Sequence, residues 1–357
     1  MLTFCVNTTR VVQITKQRIP REGKPMFTTA CSFKTKFVAT TMALTLGVTA
    51  FACSGKSGGS NAKAHDAAAE IVSGDFVAVA GIDVSTLVQR DAFKLFEDQL
   101  KADNDSQEVI GWFKSAGYAY GDIDSVTMFI AAEGADAPEP GAIVFINSKK
   151  DTEALKKAAL ANENIKIEKR EHNGMEYFVN SEDGNILIVF NNDKQIIAGS
   201  EKEVKATLDS IKSGKPAKPF KNNKALFEQY NAVDKSKDIW VAVAMTPELT
   251  NAIGGDEEIA GGIKLSDLNA ANLTIHLASG LDLNLDVKTK SNETASSIVT
   301  FANALIGSVG AQLINEVMGE GFAQKAITLS AKGDVINAKV TLTKDDVKKL
   351  ADMAKDD

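Results

Sequence analysis

The chain reads as two rounds of short apolar runs alternating with amphipathic stretches. Residues 75–82, DFVAVAGI, are almost continuously apolar, the pattern of a strand buried on both faces. SVTMFIAA (125–132) and AIVFIN (142–147) predict two more strands, separated by an acidic loop with two prolines at 133–141. Phe93, Phe96 and Leu100 fall on one face of a helix predicted over 91–100, and a second short helix is predicted to begin at 109–113. Residues 151–161 predict a helix with Leu155, Ala158 and Ala159 as its apolar stripe. Asn173-Gly174 predicts a hairpin over 165–180, because this dipeptide accepts the positive φ angles of a tight two-residue turn. A strand pair at 186–190 and 195–198 leads into Ser200-x-x-Glu203, a capping box opening a helix with Val204, Leu208 and Ile211 inward. Ser213-Gly214-Lys215-Pro216 ends it.

The order then starts again. DIWVAVA (238–244) echoes DFVAVA (75–80), and NLTIHLA (272–278) echoes SVTMFIA (125–131). Residues 283–287 and the polar run behind them echo 143–153, a strand leading to a capped helix. Strands at 326–330 and 335–341, joined about Lys332-Gly333, lead through Thr343-x-x-Asp346 into a helix carrying Val347 and Leu350. The expected fold is α+β with two similar repeats, at 74–214 and 222–357 and joined by a linker at 215–221. Each repeat is expected to be an antiparallel sheet with helices packed on one face. The predicted helix at 294–314 is longer and more apolar than its counterpart, fit to cover the joint between halves or the mouth of a cavity.

Ahead of this body, Lys34 and Lys36 precede sixteen uncharged residues, 37–52. That run falls short of the roughly 20 residues a membrane-spanning helix needs and has the proportions of an export signal. It closes on Ala50-Phe51-Ala52, a small-x-small cleavage pattern, followed by Cys53 and the flexible sequence SGKSGGS. This stretch resembles the lipobox of bacterial lipoproteins, although Ala50 and Phe51 stand where an aliphatic and a smaller residue are usual. The resemblance implies a diacylglyceryl group on Cys53, which becomes the mature N-terminus, with 53–73 as lipidated cysteine and flexible tether; within it NAKAHDAAAE (61–70) either extends the tether or starts a short helix. Ordinary cleavage after Ala52 would instead release a soluble exported protein beginning at Cys53. Residues 1–52 are then leader and signal peptide, and 1–25, basic and without an amphipathic period, suit a start codon assigned too early.

Charge sharpens the picture. Residues 1–53 hold seven Lys/Arg and one Glu, whereas the remainder holds 33 basic and 46 acidic side chains. An acidic body argues against nucleic acid as a partner. The cysteines are Cys5, Cys31 and Cys53, so a chain processed at Cys53 has no internal disulfide and no cysteine-based metal site.

Two motifs near the signal are decoys. AFACSGKS (50–57) fits a permissive phosphate loop, but its first position is Ala and the residues after Ser57 are poor helix openers. GKSGG (55–59) fits the nucleophile elbow, yet that motif works only on a strand-to-helix turn.

The body offers little chemistry of its own. His65 is expected in the tether and His172 at a turn, both solvated. His276 sits in a strand on the face opposite Leu273, Ile275 and Leu277, a weak ligand-site candidate. No histidine pair has metal-ligand spacing, and the Asp103/Asp105/Glu108 group lacks the glycine and distal glutamate of a calcium loop. Asp282, Asn284 and Asp286 alternate with leucines, marking one solvated strand face. The densest aromatic grouping, Trp112 with Tyr118 and Tyr120, reads either as helix–sheet core or as a platform for a carbohydrate or hydrophobic ligand.

The expected protein is therefore a non-enzymatic envelope lipoprotein without cofactor or metal, a binding or structural module held to a membrane by its N-terminal lipid. Its expected place is the outer membrane facing the periplasm, otherwise the periplasm or the exterior. Its expected partner is an envelope protein. The alternatives are a carrier or sensor of a hydrophobic ligand, and a carboxylate-dependent hydrolase.

Overall fold

The computed structural model describes residues 61–93, 114, 116–131, 141–161, 167–180, 186–252, 258–260, 263–307, 318–319 and 321–353. In chain order these form α1 (Ala62–Ile71), β1 (Phe76–Ile82), α2 (Val84–Leu87), β2 (Ile123–Ala131), β3 (Ala142–Ser148), α3 (Glu153–Ala161), β4 (Ile167–His172), β5 (Met175–Asn180), β6 (Ile186–Asn192), β7 (Gln195–Ser200) and α4 (Glu201–Ser213). The chain continues with α5 (Lys224–Ala232), β8 (Ile239–Ala244), α6 (Pro247–Ala252), a small hairpin of β9 (Glu258–Ala260) and β10 (Ile263–Lys264), β11 (Leu268–His276), and β12 (Leu281–Thr289). It closes with α7 (Asn292–Gly307), α8 (Phe322–Ala326), β13 (Ile327–Lys332), β14 (Val335–Leu342), and α9 (Lys344–Met353).

Twelve strands make one sheet in the order β13-β14-β12-β11-β8-β1-β2-β3-β7-β6-β5-β4, every neighbouring pair antiparallel. Its centre is the pair β1–β8, in register from Ala78 opposite Val243 to Ile82 opposite Ile239. The architecture is thus mixed helix and strand on a large antiparallel sheet.

Helices occupy both faces, where the sequence pattern led us to expect one. The reason is alternation within each strand. Val79, Phe129, Ile143 and Ile197 point to a first face and pack with α1, α4 and α5 through Ala68, Val204, Leu208, Leu226 and Tyr230. Their strand neighbours Ile82, Val126, Ile146 and Ile196 point to the second face and pack with Leu87 of α2, Leu155 of α3 and Val347 of α9.

Two further segments differ from expectation. Of the segment expected as tether, 53–60 lie outside the described residues, and the short helix allowed within 61–70 forms as α1 and is packed, burying Ala68 completely and His65 to 1 % exposure; alanines and an apolar stripe favour a packed helix over coil here. The stretch expected as a linker at 215–221 is held to the body. Pro219 bridges to Ser73, Lys218 N–H donates to Ser73 Oγ, and Phe220 is buried among Phe129, Phe227 and Tyr230.

Turn chemistry follows local rules. Asn173 and Gly174 both take positive φ, 51° and 81°, and close the β4–β5 hairpin. Thr343 and Asp346 form a reciprocal capping box: Thr343 N–H donates to Asp346 Oδ2 at 2.9 Å, and Asp346 N–H to Thr343 Oγ1 at 3.3 Å. Ser200 and Glu203 also pair, at 2.6 Å, but Ser200 Oγ additionally takes the Ala142 N–H and so ties α4 to β3.

Candidate functional site

The strand registers align one row of apolar side chains across the second face. Val144, Met128, Ala80, Val241, Leu273 and Leu285 are successive cross-strand partners on β3, β2, β1, β8, β11 and β12. All but Met128 are only half-buried. The matching row on the first face behaves differently, for there Ile143, Phe129 and Val79 are all 0 % exposed. A parallel row on the second face, Ile130, Ala78, Val243, Ala271 and Val287, is again apolar and largely half-buried.

Helices stand over the wings of this floor. On one side α3 lies over the β5–β6 region, with Leu155 buried and Lys156 both paired to Glu176 at 2.8 Å and placed 5.3 Å from the Phe178 ring centroid. On the other side α7 packs on β13 and β14. It covers their apolar face, since Ile336 is buried and Leu329 half-buried while Thr328, Ser330, Asn337 and Lys339 of the reverse face are exposed. At one end of the strands, the floor meets the packed cluster around Ile82, Val126 and Tyr118. Among the described residues the result is a row of aliphatic side chains, half-buried for the most part, on the face opposite the fully buried Ile143, Phe129 and Val79.

Beside that cluster lies a buried ionic knot. Asp238, at the foot of β8, is 1 % exposed and accepts from Arg90 Nε at 3.1 Å, from Leu277 N–H at 2.7 Å, and lies 2.8 Å from His276 Nδ1. Its backbone carbonyl accepts the N–H of Asp83, a second buried carboxylate at the head of β1. Asp83 caps α2, taking Thr86 N–H at 3.1 Å and Asn61 Nδ2 at 3.0 Å; burial, outweighing the bonds from Thr86 and Ser85, pushes its carboxyl above the usual range. The two carboxylates sit at adjacent strand ends, each engaged in bonds that fix the chain.

A third polar group lies inside the first face. His65 Nδ1 is 2.7 Å from Thr127 Oγ1, and the ring meets Trp240 edge-on with centroids 5.1 Å apart. Burial, then the Lys235 charge, push its pKa down to about 4, while Asp66 pulls the other way. At the surface, Asp66 accepts from Tyr230 Oη at 2.6 Å and Lys235 Nζ at 2.7 Å, with that ammonium 3.7 Å from the Tyr230 ring centroid.

The residues singled out in the sequence are not brought together. His276 joins the Asp238 knot. Tyr118 and Tyr120 are 4 % and 2 % exposed and belong to the second-face core, with Tyr118 Oη donating to the Asp151 carbonyl at 2.5 Å. Trp112 and Cys53 lie outside the described residues. His65, expected in solvent, is buried because α1 is packed. His172 pairs with Asp209 at 2.8 Å. No group of three metal-ligating side chains occurs among the described residues. A cleft of about 200 Å³ between α1 and the end of α4, lined by Glu70, Ser210, Ile211 and Lys215, is smaller than the roughly 300 Å³ at which small-molecule pockets begin. Asp238, Arg90 and the platform row escaped the sequence reading. The strict alternation of 281–287 signalled an apolar strand face, but not that this face would stay open.

No helix among the described residues is long and apolar enough to cross a membrane, which says nothing of strands. The chain matches no protein-family model, and no curated protein and no solved structure is significantly similar to it.

Proposed function

We propose that this chain is a membrane-anchored envelope lipoprotein that acts without catalysis, binding its partner or ligand on the open apolar floor of its second face. The observation that carries the reading is the contrast between faces: Ile143, Phe129 and Val79 are fully buried on the first, whereas Val144, Ala80, Val241, Leu273 and Leu285 are only half-buried on the second. Leaving such surface open costs stability, on the order of 25 cal/mol per Å², and a binding role accounts for it. The anchor rests on Cys53 behind its apolar leader. Two or three acyl chains would hold the body at the membrane far more firmly than one.

An internal duplication fits the same architecture. Outward from the central pair, strands run β1-β2-β3-β7-β6 on one side and β8-β11-β12-β14-β13 on the other. Both β2 and β11 follow a 3₁₀ turn, Tyr120–Asp122 and Leu265–Asp267, and both carry a register shift after their first residue. Asp122 Oδ2 takes the Ala119 N–H and Asp267 Oδ2 the Lys264 N–H, while their carbonyls take Lys149 N–H and Lys290 N–H. Aligning these features shifts the strand correspondence by two residues from the sequence echo. A shift of two leaves every side chain on its face. Helices α4 and α9 depart from the scheme, Val204 packing on the first face and Val347 on the second.

The reading is tested by expressing the full chain and its Cys53→Ser variant in a bacterial host and separating membranes from soluble fractions. The wild type is expected in the membrane pellet and labelled by radioactive palmitate; the variant is expected soluble and unlabelled. Equal partition of both would overturn the anchor.

A further inference from the structure

Resting on the reading of Cys53 as a membrane anchor, we infer that helix α1 is an acid-released latch on the tether. Docked, it ties the chain behind Cys53 to the sheet; protonation of His65 frees it. The docking rests on few side chains. Within α1 only His65 and Ala68 are buried, so one of the two residues that seal the helix to the sheet is titratable. His65 Nδ1 lies 2.7 Å from Thr127 Oγ1 of β2, and its Nε2 is buried with no hydrogen-bond partner among the described residues. A neutral imidazole leaves that nitrogen as an unused acceptor, at little cost. An imidazolium puts a buried N–H there with nothing to take it.

The surrounding charges do not offset this. On α1 itself Asp66 favours the imidazolium, but its carboxylate is already taken by Tyr230 Oη of α5 at 2.6 Å and by Lys235 Nζ at 2.7 Å. Lys235, on the turn after α5, opposes a second positive charge. β2 and β8 face the ring with Thr127 and Trp240. Lys63 and Glu70 are the other charges of α1; Glu70 lines a cleft with Lys215, behind α4, and the 3₁₀ turn Phe220–Asn222 brings Lys221. Asn61, ahead of the helix, donates to Asp83 Oδ1 and to the Asp124 carbonyl, both at 3.0 Å. Burial, with Lys235 next, holds the docked imidazole down at about 4, whereas a released one titrates near 6.5. Docking is therefore at full strength above about pH 6.5 and weakens as pH falls towards 4, by on the order of 300-fold in equilibrium constant.

The release has a built stop. Behind α1, Ser73 is bridged to Pro219 and takes the Lys218 N–H on its Oγ at 3.1 Å, while Gly74 N–H donates to the Lys218 carbonyl at 3.3 Å. These bonds do not involve α1, and β1 beyond them is held between β2 and β8. Since α1 adds no strand, its departure leaves the twelve-stranded sheet paired. An extended chain reaches at most ~3.5 Å per residue, hence ~28 Å from Cys53 to Asn61 but ~70 Å from Cys53 to Ser73. Release thus more than doubles the distance at which the anchor can hold the sheet.

The test is hydrogen–deuterium exchange of the full chain carrying Cys53→Ser, which reads the latch independently of any lipid. This chain and the same chain with His65→Phe are compared at each pH from 7 to 4.5, so that intrinsic exchange rates cancel. Exchange over 62–71 relative to the variant is expected to rise at least about thirtyfold on acidification, while β3 and β7 stay protected. Tyr230→Phe removes one bond to Asp66 and should speed exchange of α1 at every pH with the acid step intact. That second variant keeps the test open if His65→Phe does not fold. Loss of protection in α1 and the strands together, or a ratio that does not change with pH, would overturn the latch. On supported bilayers bearing the lipidated wild type, neutron reflectometry should show the protein layer moving outward at pH 4.5. A chain that shows the acid step but carries no lipid overturns the anchor alone; a lipidated chain without the step overturns the latch alone.

Discussion

Gly81 and Trp240 face each other across the central strand pair, and the indole occupies the space where a Gly81 side chain would be. A Cβ built on Gly81 falls 2.2 Å from Trp240 Cε2, and Trp240 is itself 0 % exposed, packed against His65 and Tyr230. Glycine here is a packing requirement, since the ring fills the pleat position its partner leaves empty. Gly81→Ala should therefore destabilise the fold by about 2–3 kcal/mol through overpacking. Gly307, the last residue of α7, has nothing within 4 Å of an added Cβ, so Gly307→Ala should be neutral or stabilising by up to about 1 kcal/mol. Urea unfolding midpoints of the two variants check the contrast.

His65 sets a pH dependence. Its folded pKa, about 4, lies below the unfolded value near 6.5, with burial as the main cause and Lys235 as the next. Between those values the unfolded chain binds the extra proton, so stability is full above about pH 6.5 and falls as pH drops towards 4. The shift corresponds to about 3 kcal/mol lost across that window. His65→Phe removes the titration at the cost of a partner for Thr127 Oγ1, so its stability at pH 7 should be about 1 kcal/mol lower but flatter with pH. Denaturant unfolding of both proteins between pH 7 and 4 measures the difference, most of the window lying above ordinary carboxylate titration. Parallel curves would rule His65 out as the source.

The Asp238 knot joins three distant parts of the chain, the segment after α2, the foot of β8 and the end of β11. Asp238→Ala leaves Arg90, His276 and the Leu277 N–H without their common acceptor, and should cost about 3 kcal/mol or more. Arg90 and His276 side chains are 29 % and 27 % exposed and can turn partly to water, which keeps the loss below that of a sealed triad. Asp238→Asn retains an acceptor oxygen and should fall between wild type and the alanine variant. Thermal unfolding of the three proteins ranks them.

Strand existence and order of elements were legible in the sequence because period-two patterning and turn residues act locally. The Asn173-Gly174 hairpin and the Thr343–Asp346 box are examples, each needing only its own few residues. Which face a helix covers was not legible. Val204 and Val347 follow equivalent-looking capping signals, yet lie on opposite faces, a choice made by tertiary packing. The same holds for His65, whose polar neighbourhood in sequence gave no sign that Trp240, 175 residues on, would bury it. The platform was invisible for a related reason: Leu285 of the open row and Phe145 of the sealed core both look like inward positions until register shows what stands above them.

That distinction yields the last prediction. Phe145 is 0 % exposed and in edge-on contact with Phe129, so Phe145→Ala should cost about 3–5 kcal/mol, the transfer of the ring plus the cavity it leaves. Leu285 lies at a comparable position in its strand but is half-buried, and a glutamine there keeps its amide in reach of water. Leu285→Gln should then cost about 1 kcal/mol or less, as for surface substitutions. Leu273→Gln should behave alike, and because Leu273 is the direct cross-strand partner of Leu285, their double variant should depart from additivity by about 0.5 kcal/mol or more. Chemical unfolding of the single and double variants measures this directly. A loss near that of Phe145→Ala would mean the floor is sealed in solution, leaving no room for a ligand.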